Sequence, residues 1–300
     1  MVLKKLTFVM LFITFIMYIS LTLSNYIDGT NAKNTKSEER GAYLNIMTTN
    51  KPLCEMVKSI VGDKHNVEYL FEEEEEVKTY EFDKRISPNL NNMDILFYIG
   101  NNFEPWISDA INDINSETAI INISRGIGTI YLDENNANPY FWTGLNEYKI
   151  ALYNIKSTLQ DKDPKNRKIY DNNYNAVIEE LNSFVDRFNN EKKNLNQIKI
   201  YSTSTKYAYF LNSLNTEVTY LNVNEEDRSI TDMIQEDGGS EDKQVVVIMD
   251  QNDKYDLGTY KGIRLKSYSS DKSFTRLLKD NYKTFYNSLN LENEDETTSE

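Results

Sequence analysis

Asn92-Met93-Asp94-Ile95-Leu96-Phe97-Tyr98-Ile99-Gly100 carries the reading of the fold. Five consecutive apolar residues closed by a glycine are too short for a helix of ordinary length. They leave no polar face for solvent, so they predict a strand covered on both sides, the mark of a parallel sheet flanked by helices. Upstream, Tyr43-Leu44-Asn45-Ile46-Met47 reads as another strand. From Pro52 to Val61, the residues Leu53, Met56, Val57, Ile60 and Val61 share one helical face, ended by Gly62. His65 to Leu70 and Thr118 to Ile123 add strands, and Ile107 to Ile114 a short helix. Strands alternating with helices predict an α/β architecture.

Further on, Asp163 before Pro164 forms a start signal, and Ile169, Tyr170, Tyr174, Val177, Ile178, Leu181, Val185 and Phe188 recur at three-to-four spacing. One helix is expected from Asp163 to about Lys193, roughly 45 Å long at 1.5 Å per residue. Alternation then resumes. Ile198 to Tyr201, Val218 to Val223, Gln244 to Met249 and Gly262 to Leu265 read as strands, Tyr207 to Leu214 as a helix and Phe274 to Leu289 as a closing amphipathic helix. Glu225 to Lys243, acidic and carrying Gly238-Gly239, reads as a mobile loop. The expected class is therefore α/β, with two parallel-sheet lobes joined by one long rigid linking helix. Its boundaries are an N-terminal lobe at 42–162, the link at 163–194, a C-terminal lobe at 195–290 and an acidic tail at 291–300.

Ahead of the fold, Leu6 to Leu23 is an apolar run flanked by Lys4 and Lys5, predicting an export signal or membrane anchor over residues 1–24. At about 18 residues it lies between a signal-peptide core and a spanning helix, so it is either cleaved or retained. No cysteine stands at its end to take a lipid. The positive-inside rule places the rest of the chain outside, with residues 25–41 as a polar tether.

Charge and composition narrow the function. The 300 residues hold 33 Lys plus Arg against 47 Asp plus Glu, a formal charge of -14, which lacks the basic stripe that nucleic-acid binding needs. One cysteine (Cys54) and one histidine (His65) exclude a cysteine knuckle or a multi-histidine cage. No GxSxG, Walker sequence or Cys-His pair is present, and no enzyme is expected. An acid–base pair of Glu81 and Asp250 is the residual catalytic reading. Cys54 is expected to pack as a small hydrophobe, His65 to lie away from any cleft without a role, and Glu72 to Glu76 to be exposed loop surface.

Three strings together resemble the extracytoplasmic substrate-binding proteins of zinc and manganese ABC transporters. They are Pro52-Leu53-Cys54-Glu55-Met56-Val57 with Ile60-Val61-Gly62-Asp63, the strand quoted above continuing into Phe103-Glu104-Pro105-Trp106, and Asn138-Pro139-Tyr140-Phe141-Trp142 followed by Leu159 and Asp163-Pro164. The resemblance spans residues 42 to 290. It implies two lobes around a cleft, an ABC permease in the membrane as partner, a small solute or metal ion as cargo, and Zn or Mn as the family's ion. It also implies four metal-ligand positions, which here fall on Lys78, Tyr140, Ser204 and Ser269, with Trp106 and Trp142 at the mouth of the cleft. Apart from the resemblance, Glu72 to Glu76, Glu81 and Asp250 are nearby accessory carboxylates, and a site made of them alone would favour a hard ion such as calcium or manganese over zinc. A protonated amine repels a divalent cation, and neutral hydroxyls ligate weakly, so no metal site is expected and the cargo is expected to differ. The alternative is a degenerate, membrane-tethered interaction module without metal.

Overall fold

A computed structural model describes residues 43–100, 102–131, 136–188, 195, 197–223, 228–238 and 244–290. The expected anchor, tether and acidic tail lie outside the described residues. In chain order the elements are β1 (Asn45–Asn50), α1 (Lys51–Val61), β2 (Asn66–Phe71), α2 (Glu74–Thr79), β3 (Ile95–Tyr98), α3 (Ile107–Asp113), β4 (Ala119–Asn122), α4 (Leu145–Lys162), α5 (Arg167–Asp186), β5 (Ile198–Ser202), α6 (Ala208–Asn212), β6 (Val218–Tyr220), α7 (Ile230–Glu236), β7 (Gln244–Asp250), β8 (Lys261–Leu265) and α8 (Phe274–Asn290).

They build two four-stranded sheets with the orders β2-β1-β3-β4 and β6-β5-β7-β8. Every pairing is parallel; Ile46 sits opposite Val67 and Ile95, and Ile200 opposite Val218 and Val246. Because side chains alternate across a strand, each central strand feeds two layers. Ile46, Ile95 and Phe97 point into the main core, whereas Met47, Leu96 and Tyr98 pack with Trp106, Ile107 and Ala110 on the other face of the first sheet. In the second sheet, Tyr201, Val245, Val247 and Met249 pack against Ile230 and Ile234 of α7. The main core runs without interruption from Ile46 and Phe97 to Val246 and Ile248. Both sheets thus share one apolar interior, and β3 and the middle of β7 are continuously apolar because neither face meets water.

Local chemistry fixes the turns. Asn50 caps α1 by accepting from the Leu53 amide at 3.0 Å, Pro52 occupies the first turn, and Gly62 ends the helix at φ 60°. The Glu72 to Glu76 run is not a loop: its last three residues open α2, where acidic side chains suit a helix N-terminus, and Glu76 accepts from the Glu73 amide at 3.1 Å. The acid-rich Glu225 to Lys243 stretch likewise contains a helix, α7, capped by Ser229 accepting from the Asp232 amide at 3.1 Å and driven by burial of Ile230, Met233 and Ile234.

The long helix expected from Asp163 is shorter, and it has a companion. A 3-10 turn (Pro164–Asn166) precedes α5, which runs for 20 residues, and α4 adds a second long helix before it. Asp163 makes no capping bond to the backbone; its carboxylate accepts instead from the Tyr170 hydroxyl and the Asn166 amide group, both at 2.6 Å. Helix α5 packs on α1, α4 and α8 and so touches elements belonging to both sheets.

Candidate functional site

Parallel sheets present their strand ends to the same side, and ligands of open α/β sheets lie outside those carboxyl ends. Here the segments that follow β2, β3, β5, β6 and β8 converge there. Helix α2 carries Lys78 in its last turn, next to Glu74 one turn earlier. The segment leading to the 3-10 turn Phe141–Thr143 carries Tyr140, whose amide donates to the Asn138 side chain at 2.9 Å.

The two residues meet. The Lys78 ammonium donates to the Tyr140 hydroxyl at 2.5 Å, that hydroxyl donates to Glu74 Oε1 at 2.6 Å, and the same carboxylate oxygen lies 2.6 Å from Lys78 Nζ. The ammonium also lies over the rings of Tyr140 and Phe103, 4.9 and 5.5 Å from their centroids, where the π faces attract it. Burial, reinforced by the negative charge of Glu74, pushes the Tyr140 phenol well above its ordinary range. A phenol that stays protonated and already donates to a carboxylate offers a cation little.

Ser204 follows β5 and lines the same cavity of about 980 Å³ as Lys78 and Tyr140, together with Lys206, Asn102 and Asn222. Ser269 does not join them. It follows β8 and lines a second cavity of about 500 Å³ with Glu73, Glu74 and Glu75; Lys78 and Lys206 line both. Glu81 is exposed and lines neither. Asp250, at the end of β7, accepts from the Tyr207 hydroxyl at 3.0 Å and lies 3.7 Å from Lys206 Nζ. Glu81 and Asp250 therefore share no site from which to act as acid and base. Among the described residues, no three His, Cys, Asp or Glu side chains cluster so as to hold a metal ion.

The tryptophans are structural. Trp142 is buried, donates to the Ser267 carbonyl at 2.7 Å and stacks on Phe274, whereas Trp106 donates to the Val77 carbonyl at 3.0 Å behind α2. Neither lines the two cavities. His65 is buried: Nδ1 accepts from the Leu44 amide at 3.4 Å, and Nε2 lies 2.5 Å from the Tyr170 hydroxyl, which donates onward to Asp163. Only the neutral Nε2–H tautomer satisfies that chain. Cys54 is buried beneath β2, as a small hydrophobe.

Sequence reasoning gave two residues no role. Lys206, in the 3-10 turn after β5, lies 5.5 Å from the Tyr140 ring centroid. Glu104, in the loop after β3, is fully buried and accepts from Thr49 Oγ1 at 2.5 Å and from the Ile99 and Gly100 amides at 3.0 and 2.8 Å. Burial pushes its carboxyl up to about 7 against the pull of those donors. The signal for Glu104 was its position directly after a buried strand, where an acid must find backbone donors. Lys206 gave no comparable signal.

With the geometry in hand, a family model described as zinc-uptake complex component A, periplasmic, matches residues 46–253. The chain belongs to this family. It is a substrate-binding protein of the metal ABC-transporter type and not an enzyme. Curated relatives include the metal ABC transporter substrate-binding lipoprotein ScbA of Streptococcus cristatus, 25% identical over 222 residues (68% of this chain, 70% of the relative). The manganese ABC transporter substrate-binding lipoprotein scaA of Streptococcus gordonii is 25% identical over 221 residues, covering 68% of this chain and 70% of its own. The fold matches the metal-dependent lipoprotein YcdH of Bacillus subtilis with a TM-score of 0.68 at 18% identity, over 81% of this chain and 98% of that one.

Proposed function

We propose that the chain is the extracytoplasmic binding component of an ABC importer whose cargo is not the bare metal ion its family is built to hold. It delivers that cargo to a permease in the same membrane. The observation that carries this reading is the Lys78–Tyr140–Glu74 triangle: at two of the family's ligand positions a tethered ammonium already engages the nearest carboxylate. A second cation brought to this point meets like-charge repulsion, and the only acid in the triangle is taken. The third and fourth positions, Ser204 and Ser269, supply neutral hydroxyls in separate cavities.

The names of the relatives add membrane attachment, since they are lipoproteins. In this chain the hydrophobic run Leu6 to Leu23, retained, takes that part with residues 25–41 as the tether; cleaved, it leaves the protein secreted. Lobes at 42–162 and 195–290 flank the cleft, and the linking segment 163–194, with α5 as its stiff part, holds them. A rod packed into a continuous core resists wide hinge opening, so cargo is selected by small tilts and loop order.

The test is metal counting on the purified protein after dialysis, alongside titration with Zn(II) and Mn(II). Substoichiometric metal and no saturable heat are expected. One tightly held ion per chain, surviving dialysis, refutes the reading.

A further inference from the structure

The cavity beside Tyr140 has the volume of an organic ligand: about 980 Å³, within the range of roughly 300–1,000 Å³ typical of small-molecule sites and far beyond that of an ion. Its described lining holds no Asp or Glu. Two ammoniums reach it from opposite sheets, Lys78 from α2 and Lys206 from the segment after β5, and both lie within 5.5 Å of the one Tyr140 ring centroid. Each has a carboxylate neighbour that does not line the cavity. Glu74 is bonded to Lys78 at 2.6 Å, whereas Asp250 stands 3.7 Å from Lys206, beyond hydrogen-bond distance. The remaining described wall is uncharged and mixed, with Ser204 and Asn102 beside Pro105, Ala137 and Leu221.

We propose that this cavity binds a small organic polycarboxylate, with one carboxylate held at Lys206 and another at Lys78, so that the anion bridges the two sheets. Two ammoniums in a described lining that holds no acid favour negative charge, and cations of different elements are satisfied together by a ligand carrying two anionic groups a few carbons apart. Lys206, whose nearest acid is at 3.7 Å, gains most from the ligand. The inference rests on the reading that the cargo is not a bare metal ion. A carboxylate ligand arrives either free or wrapped around a metal, and the chemistry recognised at the cavity is the same.

Calorimetric titration of the purified full chain with citrate, malate, succinate and glutarate tests this, with glucose as the neutral control, and with manganese citrate and manganese chloride as the metal arms. At least one polycarboxylate, free or as its manganese complex, is expected to bind with a stoichiometry of one. Affinity should fall with added salt and drop about tenfold or more in Lys206→Met, whose side chain is partly exposed and whose fold is checked by circular dichroism. Binding of manganese citrate but not of free citrate identifies the wrapped metal as the form carried. Glucose binding as tightly as the acids, no binding by any acid or complex, or unchanged affinity in Lys206→Met overturns the polycarboxylate proposal alone. Saturable binding of manganese chloride without any anion overturns the non-metal reading as well.

Discussion

Lys78 Nζ and the Tyr140 hydroxyl lie 2.5 Å apart although their residues are separated by 62 positions. The contact joins the last turn of α2 to the segment before α4, and on the proposed reading it closes the space where an incoming ion would need open ligands. If the tethered ammonium is what excludes the ion, then exchanging both residues for imidazoles in a Lys78→His/Tyr140→His variant should create a site. Two neutral nitrogen donors then face Glu74, freed from its pairing, and such a set suits zinc. The expected result is stoichiometric Zn(II) binding by the double variant, measured by metal counting, with none in the parent. A variant that folds, as judged by circular dichroism, yet still takes up no zinc shows that the loss of the site extends beyond these two residues.

Glu104 predicts an acid-favouring contribution to stability. Its carboxyl is raised from 4.5 to about 7 by burial, so between those values the folded chain holds a proton that the unfolded chain has released. Stability from this group is full below about pH 4.5 and is lost as pH rises through 7, a change of about 3 kcal/mol by linkage. Urea unfolding of the parent and of Glu104→Gln at several pH values isolates it: the stability difference between them should shrink by that order from pH 5 to pH 8. A constant difference means the Thr49, Ile99 and Gly100 donors outweigh burial and hold Glu104 ionised throughout.

The central strands β3 and β7 were legible because they are apolar on both faces, a pattern that polar loops do not imitate, and α1 was legible because Pro52, its apolar face and Gly62 mark its extent. Helix α4 escaped although Tyr148, Ala151, Leu152, Ile155 and Leu159 keep helical spacing, since the stripe is narrow and set among Lys149, Asn154 and Lys156. Helix α7 hid because its three buried apolar residues sit within the stretch Glu225 to Lys243, which carries eight acids and Gly238-Gly239. At the site, the positions of Lys78 and Tyr140 could be read from the motifs they stand in. Their hydrogen bond could not, because it depends on how α2 and the Tyr140 segment dock. Nor could the separation of Ser269 from Ser204, which follows from the different directions taken by the chain after β5 and β8.

His65 predicts the opposite pH sign. Burial lowers its pKa from 6.5 against the opposing charge of Asp163, so the fold prefers the neutral ring. Protonation places a hydrogen on Nδ1, where the Leu44 amide donates. Stability from His65 is therefore present above pH 6.5 and declines as pH falls below it. Thermal melts of His65→Gln should lose this acid-side decline relative to the parent. An unchanged slope between pH 6.5 and pH 5 removes His65 as its source.

Gly144 marks where α4 meets the second sheet's elements. A Cβ built there lies 2.8 Å from the Tyr209 Cβ and 3.1 Å from its carbonyl oxygen, and it also collides with the Glu147 carboxylate. The flexible Glu147 end can move aside, but the Tyr209 backbone cannot, because Tyr209 is buried and its hydroxyl is tied to Ile130 and Gly128 at 3.2 Å. Since φ at Gly144 is -90°, an alanine there meets crowding without backbone strain. Overpacking of this kind costs about 1–3 kcal/mol. Gly144→Ala should melt several degrees below the parent, and a Gly144→Ala/Tyr209→Gly pair should be less destabilised than the sum of the single variants, because the second change removes the Cβ that the new methyl meets. Strict additivity places the cost of Gly144→Ala somewhere other than the contact with Tyr209.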